Sequence, residues 1–268
     1  MSKNAKHIDP FAEVENITNW IRNYFVENGP NSKAVIGISG GKDSTVAAGL
    51  LVRALGPDRV VGVLMPQDVQ TDIDDSREIC DYLGIQSIEI DIGPACTALY
   101  GSIDEELGID SESNAAIKTN APARIRMTTL YAIAALCGGR VCCTENASEA
   151  YVGYSTKYGD LAGDFAPLRE YYVREIYQIG DALDLPILLV HKAPADGMSG
   201  KTDEDNMGFT YEELDAYLLD GTPIEDFDTF VNIETRHKRN IHKTRAINLP
   251  CARPNRFYAD GEPDGYYF

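Results

Sequence analysis

The chain has 268 residues, 44% hydrophobic and 25% charged, the balance of an ordinary folded domain with enough apolar material for a full core. Its formal net charge of −18 repels phosphate at long range, which argues against a nucleic-acid partner. No run of about 18 apolar residues occurs, so no membrane span is expected. The polar start Met1–His7 has no apolar run behind it and does not read as a secretory signal.

In chain order, apolar residues recur at helical spacing over 9–28, through Phe11, Val14, Ile17, Trp20, Ile21 and Phe25. A short buried strand is predicted at Ala34–Ile38, then a helix at 44–55, a second strand at Val60–Met65, a helix at 71–84 and a third strand at Ser87–Asp91. Residues 93–120 mix Gly, Pro, Asp and Asn and predict one or two short helices. A strong helix follows at 121–137, stopped by Gly138-Gly139. Arg140–Thr144 reads as a fourth strand, 170–184 as a helix, and Ile187–Val190 as a short strand or extended segment. The polar stretch 193–208 predicts a mobile loop, and helices at 210–220 and 226–238 precede a proline-containing tail. This alternation predicts an α/β fold: a Rossmann-like parallel sheet with helices on both faces. Neither a repeat nor a linker divides 1–268, so a single domain is expected.

The six cysteines include no CxxC pair and fit no zinc spacing; they read as reduced core thiols of a cytoplasmic protein.

The segment Gly37-Ile38-Ser39-Gly40-Gly41-Lys42-Asp43-Ser44 follows the first strand and opens a helix. That is the chemistry of an anion cradle: glycines for a tight turn, free amides and a helix dipole for negative charge, and hydroxyls on Ser39 and Ser44. Asp43 cannot itself hold phosphate, but its carboxylate can hold Mg²⁺ that bridges to phosphate. At Lys42 a phosphate contact and a solvent-exposed lysine are both open. The pattern is not GxxxxGK[ST].

This loop resembles the SGGxDS loop of the N-type ATP pyrophosphatases, whose fold is the adenine nucleotide alpha hydrolase type. Within that group, Thr144-Glu145-Asn146-Ala147-Ser148-Glu149 and Gly153–Asp160, with Thr156-Lys157-Tyr158-Gly159-Asp160, then Asp164 and Pro167-Leu168, resemble a block of the ammonia-using NAD synthetases. The resemblance runs from about residue 10 to 250. It implies a ligase that adenylates the nicotinate carboxylate of deamido-NAD with ATP, releases pyrophosphate, and then amidates with ammonia, releasing AMP. Residues 37–44, Gln70, Thr144 and Ala195 would contact ATP; Asp43 and Glu149 would hold Mg²⁺; Lys157 would serve catalysis and substrate binding. Arg124, in Asn120–Met127, would face the dinucleotide with Asp164, His242 and Lys243, whereas Arg126 would be structural. His237-Lys238 competes with His242-Lys243 for the family's His-Lys pair.

Two departures stand out. Val173 replaces a family lysine, so that either Arg174 beside it substitutes or the contact is absent, and Ala195 replaces a hydroxyl residue in the loop over the phosphates. The resemblance also implies a homodimer with the dinucleotide across the interface, the N-terminal helix being one candidate face. With the phosphate loop already at 37–44, no room is expected for a glutamine-hydrolysing domain, so free ammonia or a separate amidotransferase subunit is the expected nitrogen source. Two rivals remain: a tRNA-modifying enzyme using the same loop, disfavoured by charge and the missing CxxC, and a non-catalytic ATP-binding sensor, disfavoured by the loop and the Thr156–Asp160 block.

Overall fold

Three apolar runs too short for helices, and a fourth less apolar, pair into one parallel sheet. In the computed structural model, which describes residues 8–67, 73–192 and 202–244, the strands are β1 (Ala34–Gly37), β2 (Val60–Leu64), β3 (Gln86–Glu89) and β4 (Arg140–Cys142). Their order is β3-β2-β1-β4, all neighbours parallel, with Ala34 opposite both Val60 and Arg140. Every residue of β2 is buried, as expected when helices cover both faces. β3 is the more exposed edge.

One face packs on α1 (Pro10–Asn28), α2 (Lys42–Leu55), α3 (Ile73–Leu83) and α7 (Val173–Ala182), through Ile17, Ile21, Phe25, Leu50, Ile79 and Ile176. The other packs on α4 (Gly93–Leu107) and α5 (Ala115–Cys137), through Val35, Val61, Val63, Cys96, Tyr100 and Ala134. The predicted α/β architecture is therefore present. β1 leads through α2 to β2 on one side, while β4 joins on the other side. The chain reverses direction across the sheet at β1, and a crevice opens at the carboxyl ends of β1 and β4.

Several expectations need correction. The long helix begins at Ala115, not 121, because Asn114 caps it by accepting from the amides of Ala116 and Ile117. Pro122, expected near the start, lies inside α5. Residues 93–107 form a full-length helix rather than short pieces. Ile187–Val190 is one helical turn, α8, because the Pro186 carbonyl accepts from Leu189 and Val190 and turns the chain before a strand can form.

Past β4 come α6 (Ala147–Val152), α9 (Asp203–Met207), α10 (Tyr211–Asp215), which runs on as a π-helical turn over Ala216–Asp220, and α11 (Phe227–Thr244). These pack around Val152, Val173, Phe209, Leu214 and Ile233. Residues 202–208 are thus partly helical where a loop was expected; 193–201, with Ala195, lie outside the described residues, as does Gln70. No helix among the described residues is long and apolar enough to cross a membrane. Cys80, Cys96, Cys142 and Cys143 are buried and free; burial raises the Cys142 thiol, and burial with the Glu145 charge pushes Cys143 up to about 12. Neither offers a thiolate for chemistry.

Candidate active site

The loop after β1 is shaped by what its residues deny one another. Gly40 sits at φ +76°, and a Cβ there would stand 3.0 Å from Asp75 Cβ, so the turn requires glycine. Gly41 is the N-cap of α2 but has no side chain, and the first-turn amides of α2 receive no side-chain cap. Those amides and the helix dipole remain available to an anion. Ser44 Oγ is held from within the loop, donating to the Gly41 carbonyl at 3.1 Å and accepting from the Ser39 amide at 3.3 Å. The turn is preformed rather than assembled by a ligand.

The loop after β4 supplies the second wall. Asn146 is fully buried and caps α6: its side-chain oxygen accepts from the Glu149 amide at 2.9 Å, while Glu149 Oε2 accepts from the Asn146 amide at 3.2 Å. The same side chain donates to Asp43 Oδ1 at 3.1 Å. One amide therefore positions both carboxylates that the sequence nominated for a metal. Burial raises the Glu149 pKa well above the usual carboxylate range, and the Asp43 charge adds to it, with Lys42 opposing. Two carboxylates crowded in a half-dry cleft are a cation-binding arrangement.

Lys42 overturns the exposed reading. It is 3% exposed, its Nζ 3.0 Å from Asp43 Oδ2 and 5.1 Å from the centre of the Tyr211 ring. Burial pulls its pKa down, but Asp43 and Glu149 outweigh that and hold it above the ordinary lysine range. The Tyr211 hydroxyl is buried with no hydrogen-bond partner among the described residues.

Both walls face a cleft of about 1300 Å³. It is lined by residues 37–44 apart from Gly40, by Thr144, Glu145 and Glu149, and by the end of α11, including His242 and Lys243. Lys243 donates to the carbonyls of Gly153 and Ser155 at 2.8 and 2.9 Å, and burial lowers its pKa. A Cβ on Gly153 would lie 2.2 Å from Asn240 Cβ, so α6 and α11 meet there with no room for a side chain. His237, the competing histidine, stacks on Tyr151 and bonds its carbonyl instead of lining the cleft.

Three nominated substrate residues do not line this cleft. Arg124 is exposed and donates to the Lys157 carbonyl; Lys157 lies over the Tyr158 ring. Asp164 accepts from the Val141 amide at 2.7 Å and from the Tyr131 hydroxyl at 3.3 Å, in a separate shallow depression. Arg126 does line the cleft, its Nε donating to the Met65 carbonyl at 3.0 Å, and burial lowers its pKa against the opposing charges of Cys96 and Asp160. On the helix, residues 124 and 126 point about 200° apart, so only Arg126 faces this cleft while Arg124 faces away from it. Arg174 makes a bidentate pair with Asp220 at 2.7 and 2.9 Å, and Val173 is buried, so neither delivers a cation to the cleft. Asn146 was missed as a site residue, although Asn146-x-x-Glu149 is a legible capping box.

A buried network runs from the cleft wall into the core. Glu145 is 3% exposed, paired with Arg169 at 3.0 Å and accepting from Ser155 at 3.1 Å. Burial pushes its carboxyl up to about 7 despite the Arg169 charge.

A sequence model of the family described as NAD synthase matches residues 13–248. An NH₃-dependent NAD⁺ synthetase of Finegoldia magna is 36% identical over 86% of this chain and 92% of its own. A structure described as NMN synthetase from Francisella tularensis is 35% identical, with TM-score 0.81 over 91% of this chain and 99% of that one. The NH₃-dependent NAD synthetase of Campylobacter jejuni, solved with nitrate ion, is 29% identical, with TM-score 0.70 over 91% and 99%.

Two outcomes follow from the charges. Glu145 prefers its proton in the folded chain, so its stabilisation is complete below about pH 4.5 and lost as pH rises through about 7. Denaturant melts should show Glu145→Gln gaining on the order of 3 kcal/mol relative to the parent between those limits, whereas a pH-independent difference would mean an ordinary glutamate. Arg126→Leu should raise the KM of an anionic substrate about 10-fold or more at unchanged melting temperature. Unaltered KM values would return Arg126 to a structural role.

Proposed function

The chain belongs to the NAD synthase family, and from that premise we propose that it is an ammonia-dependent NAD synthetase working in the cleft at the carboxyl ends of β1 and β4. The observation that carries this reading is the preformed cradle at the start of α2 facing two carboxylates locked by one buried amide. In the first step the nicotinate carboxylate of deamido-NAD attacks the α-phosphorus of ATP, an oxygen–phosphorus bond forms, and pyrophosphate leaves. In the second, ammonia attacks the activated carbonyl carbon, the carbon–oxygen bond to AMP breaks, and the carboxamide remains.

The chain's own groups bind and hold rather than react. The α2 amides, with Ser39 and Ser44 beside them, cradle phosphate, and Thr144 bounds the nucleotide from the β4 side. Arg126 and, on α11, Arg239 and Lys243 supply local positive charge in a strongly acidic protein. Walls on both sides limit water, which would otherwise hydrolyse the adenylate. No protein nucleophile is needed, so catalysis is positioning and electrostatics.

The residues fit Mg²⁺. Asp43 and Glu149 are hard oxygen donors set side by side, and the orphaned Tyr211 hydroxyl lies where a hydrating water would give it a partner. Mg²⁺ would be held by Asp43 and Glu149 and would neutralise charge developing on phosphate.

We assign Arg124, Lys157 and Asp164, which lie outside the cleft of one protomer, to substrate contacts in a homodimer. Supporting this, the exposed flank of α5 runs through Arg124, Thr128, Ala132, Ala135 and Leu136, small or apolar apart from the arginine, with Leu136 84% exposed. Most of the apolar stripe of α1, by contrast, is spent in the core, with Phe11 left exposed at its start. Light scattering should give twice 29.4 kDa; a monomer at working concentration would remove the interface. The four buried free thiols fit a reducing compartment, and a cytoplasmic location is part of the proposal.

A second reading comes from the Francisella neighbour, described as an NMN synthetase: the same chemistry on nicotinate mononucleotide. One assay decides between them. With ATP, Mg²⁺ and ammonium, deamido-NAD should yield AMP, pyrophosphate and NAD in equal amounts, faster than glutamine supports. A higher kcat/KM on nicotinate mononucleotide would transfer the assignment to that substrate, and no pyrophosphate from either would leave a binding protein. Asp43→Asn should abolish turnover at unchanged fold, by a factor of about 10² or more.

A further inference from the structure

Lys42 is an expensive residue where it stands. It opens α2, at the positive end of the helix dipole, where a cation is disfavoured. It is also 3% exposed, so its ammonium has lost nearly all its water. Three contacts offset this: the 3.0 Å ion pair to Asp43, the nearby Glu149 charge, and the face of Tyr211 at 5.1 Å. Two of the three are the carboxylates assigned above to Mg²⁺. The ammonium therefore occupies the Asp43 carboxylate that the divalent ion would need.

The consequence is an exchange. If a divalent ion takes Asp43 and Glu149 while the phosphate cradle is empty, Lys42 faces a second cation with its compensation removed. A buried charge left unpaired is strongly destabilising, so this state is disfavoured. If triphosphate arrives as well, the same ammonium, which already borders the cleft, gains phosphate oxygens in place of Asp43. We propose that Lys42 is a positioning residue that couples metal loading to nucleotide binding: it holds Asp43 until a triphosphate replaces that carboxylate as its counter-ion. The inference rests on the assignment of Mg²⁺ to Asp43 and Glu149. It assigns to the variable position of the loop a task that the phosphate cradle alone does not supply.

Because coupling is reciprocal, it is visible from either ligand. The test uses Mn²⁺ and an ATP analogue with a non-cleavable α,β bridge, read by Mn²⁺ electron paramagnetic resonance, with metal held by free analogue subtracted. In the parent protein, Mn²⁺ alone should bind at least about tenfold more weakly than with the analogue bound. In Lys42→Met, which keeps the chain length without the charge, Mn²⁺ alone should bind about tenfold more tightly than in the parent, and the analogue should strengthen that binding by a smaller factor than in the parent. Lys42→Arg should keep the coupling. Equal Mn²⁺ affinity with and without analogue in the parent overturns the inference without any variant, so a poorly folding Lys42→Met does not shield it. Coupling that survives intact in a folded Lys42→Met overturns it as well, and leaves the metal assignment standing. No Mn²⁺ in the parent under either condition overturns both.

Discussion

The hydrogen bond from Asn146 to Asp43 joins the two halves of the site. Asp43 belongs to the helix that follows β1, Asn146 to the loop that follows β4, and 103 residues separate them. The amide also caps α6 and so fixes Glu149. A carboxylate on a free loop would lose its geometry to side-chain entropy; here the backbone of α6 and the buried amide remove that freedom before any ligand binds. The strand order makes the contact available, because β4 lies beside β1 and both loops leave the same edge of the sheet.

Electrostatics set the second constraint. A protein of net charge −18 has to gather cations where it means to hold nucleotides. It does so from three elements that line the cleft, Lys42 on α2, Arg126 on α5 and the basic end of α11. Other basic residues are spent elsewhere: Arg174 on Asp220, Arg77 on Glu89 and Asp74, Arg53 on Glu15. The distribution, rather than the total, separates the residues that meet ligand from those that hold the fold.

Much of this was legible in the sequence. Short apolar runs with glycine stops specified the strands, and the loop at 37–44 carried its chemistry in its residue types. What stayed hidden depended on neighbours distant in sequence. Lys42 looks like any surface lysine until Asp43, Glu149 and Tyr211 close around it. Arg124 and Arg126 differ only in helical phase, and which face of α5 meets the cleft is set by the elements packed around it. Val190 and its neighbours are apolar enough for a strand, but Pro186 turned them into a helical turn. Asp164 matched a family pattern, but the sequence does not show that its carboxylate also accepts from the Val141 amide, 23 residues away.

The close approach of Gly153 to Asn240 has a mechanical meaning. With no side chain between them, and with Lys243 clamped on the carbonyls of Gly153 and Ser155, α11 and α6 act as one rigid lever. α6 carries Glu149 four residues before that fulcrum. Glu149 and the basic end of α11 are therefore held at one fixed spacing, so the two ends of the cleft keep their register.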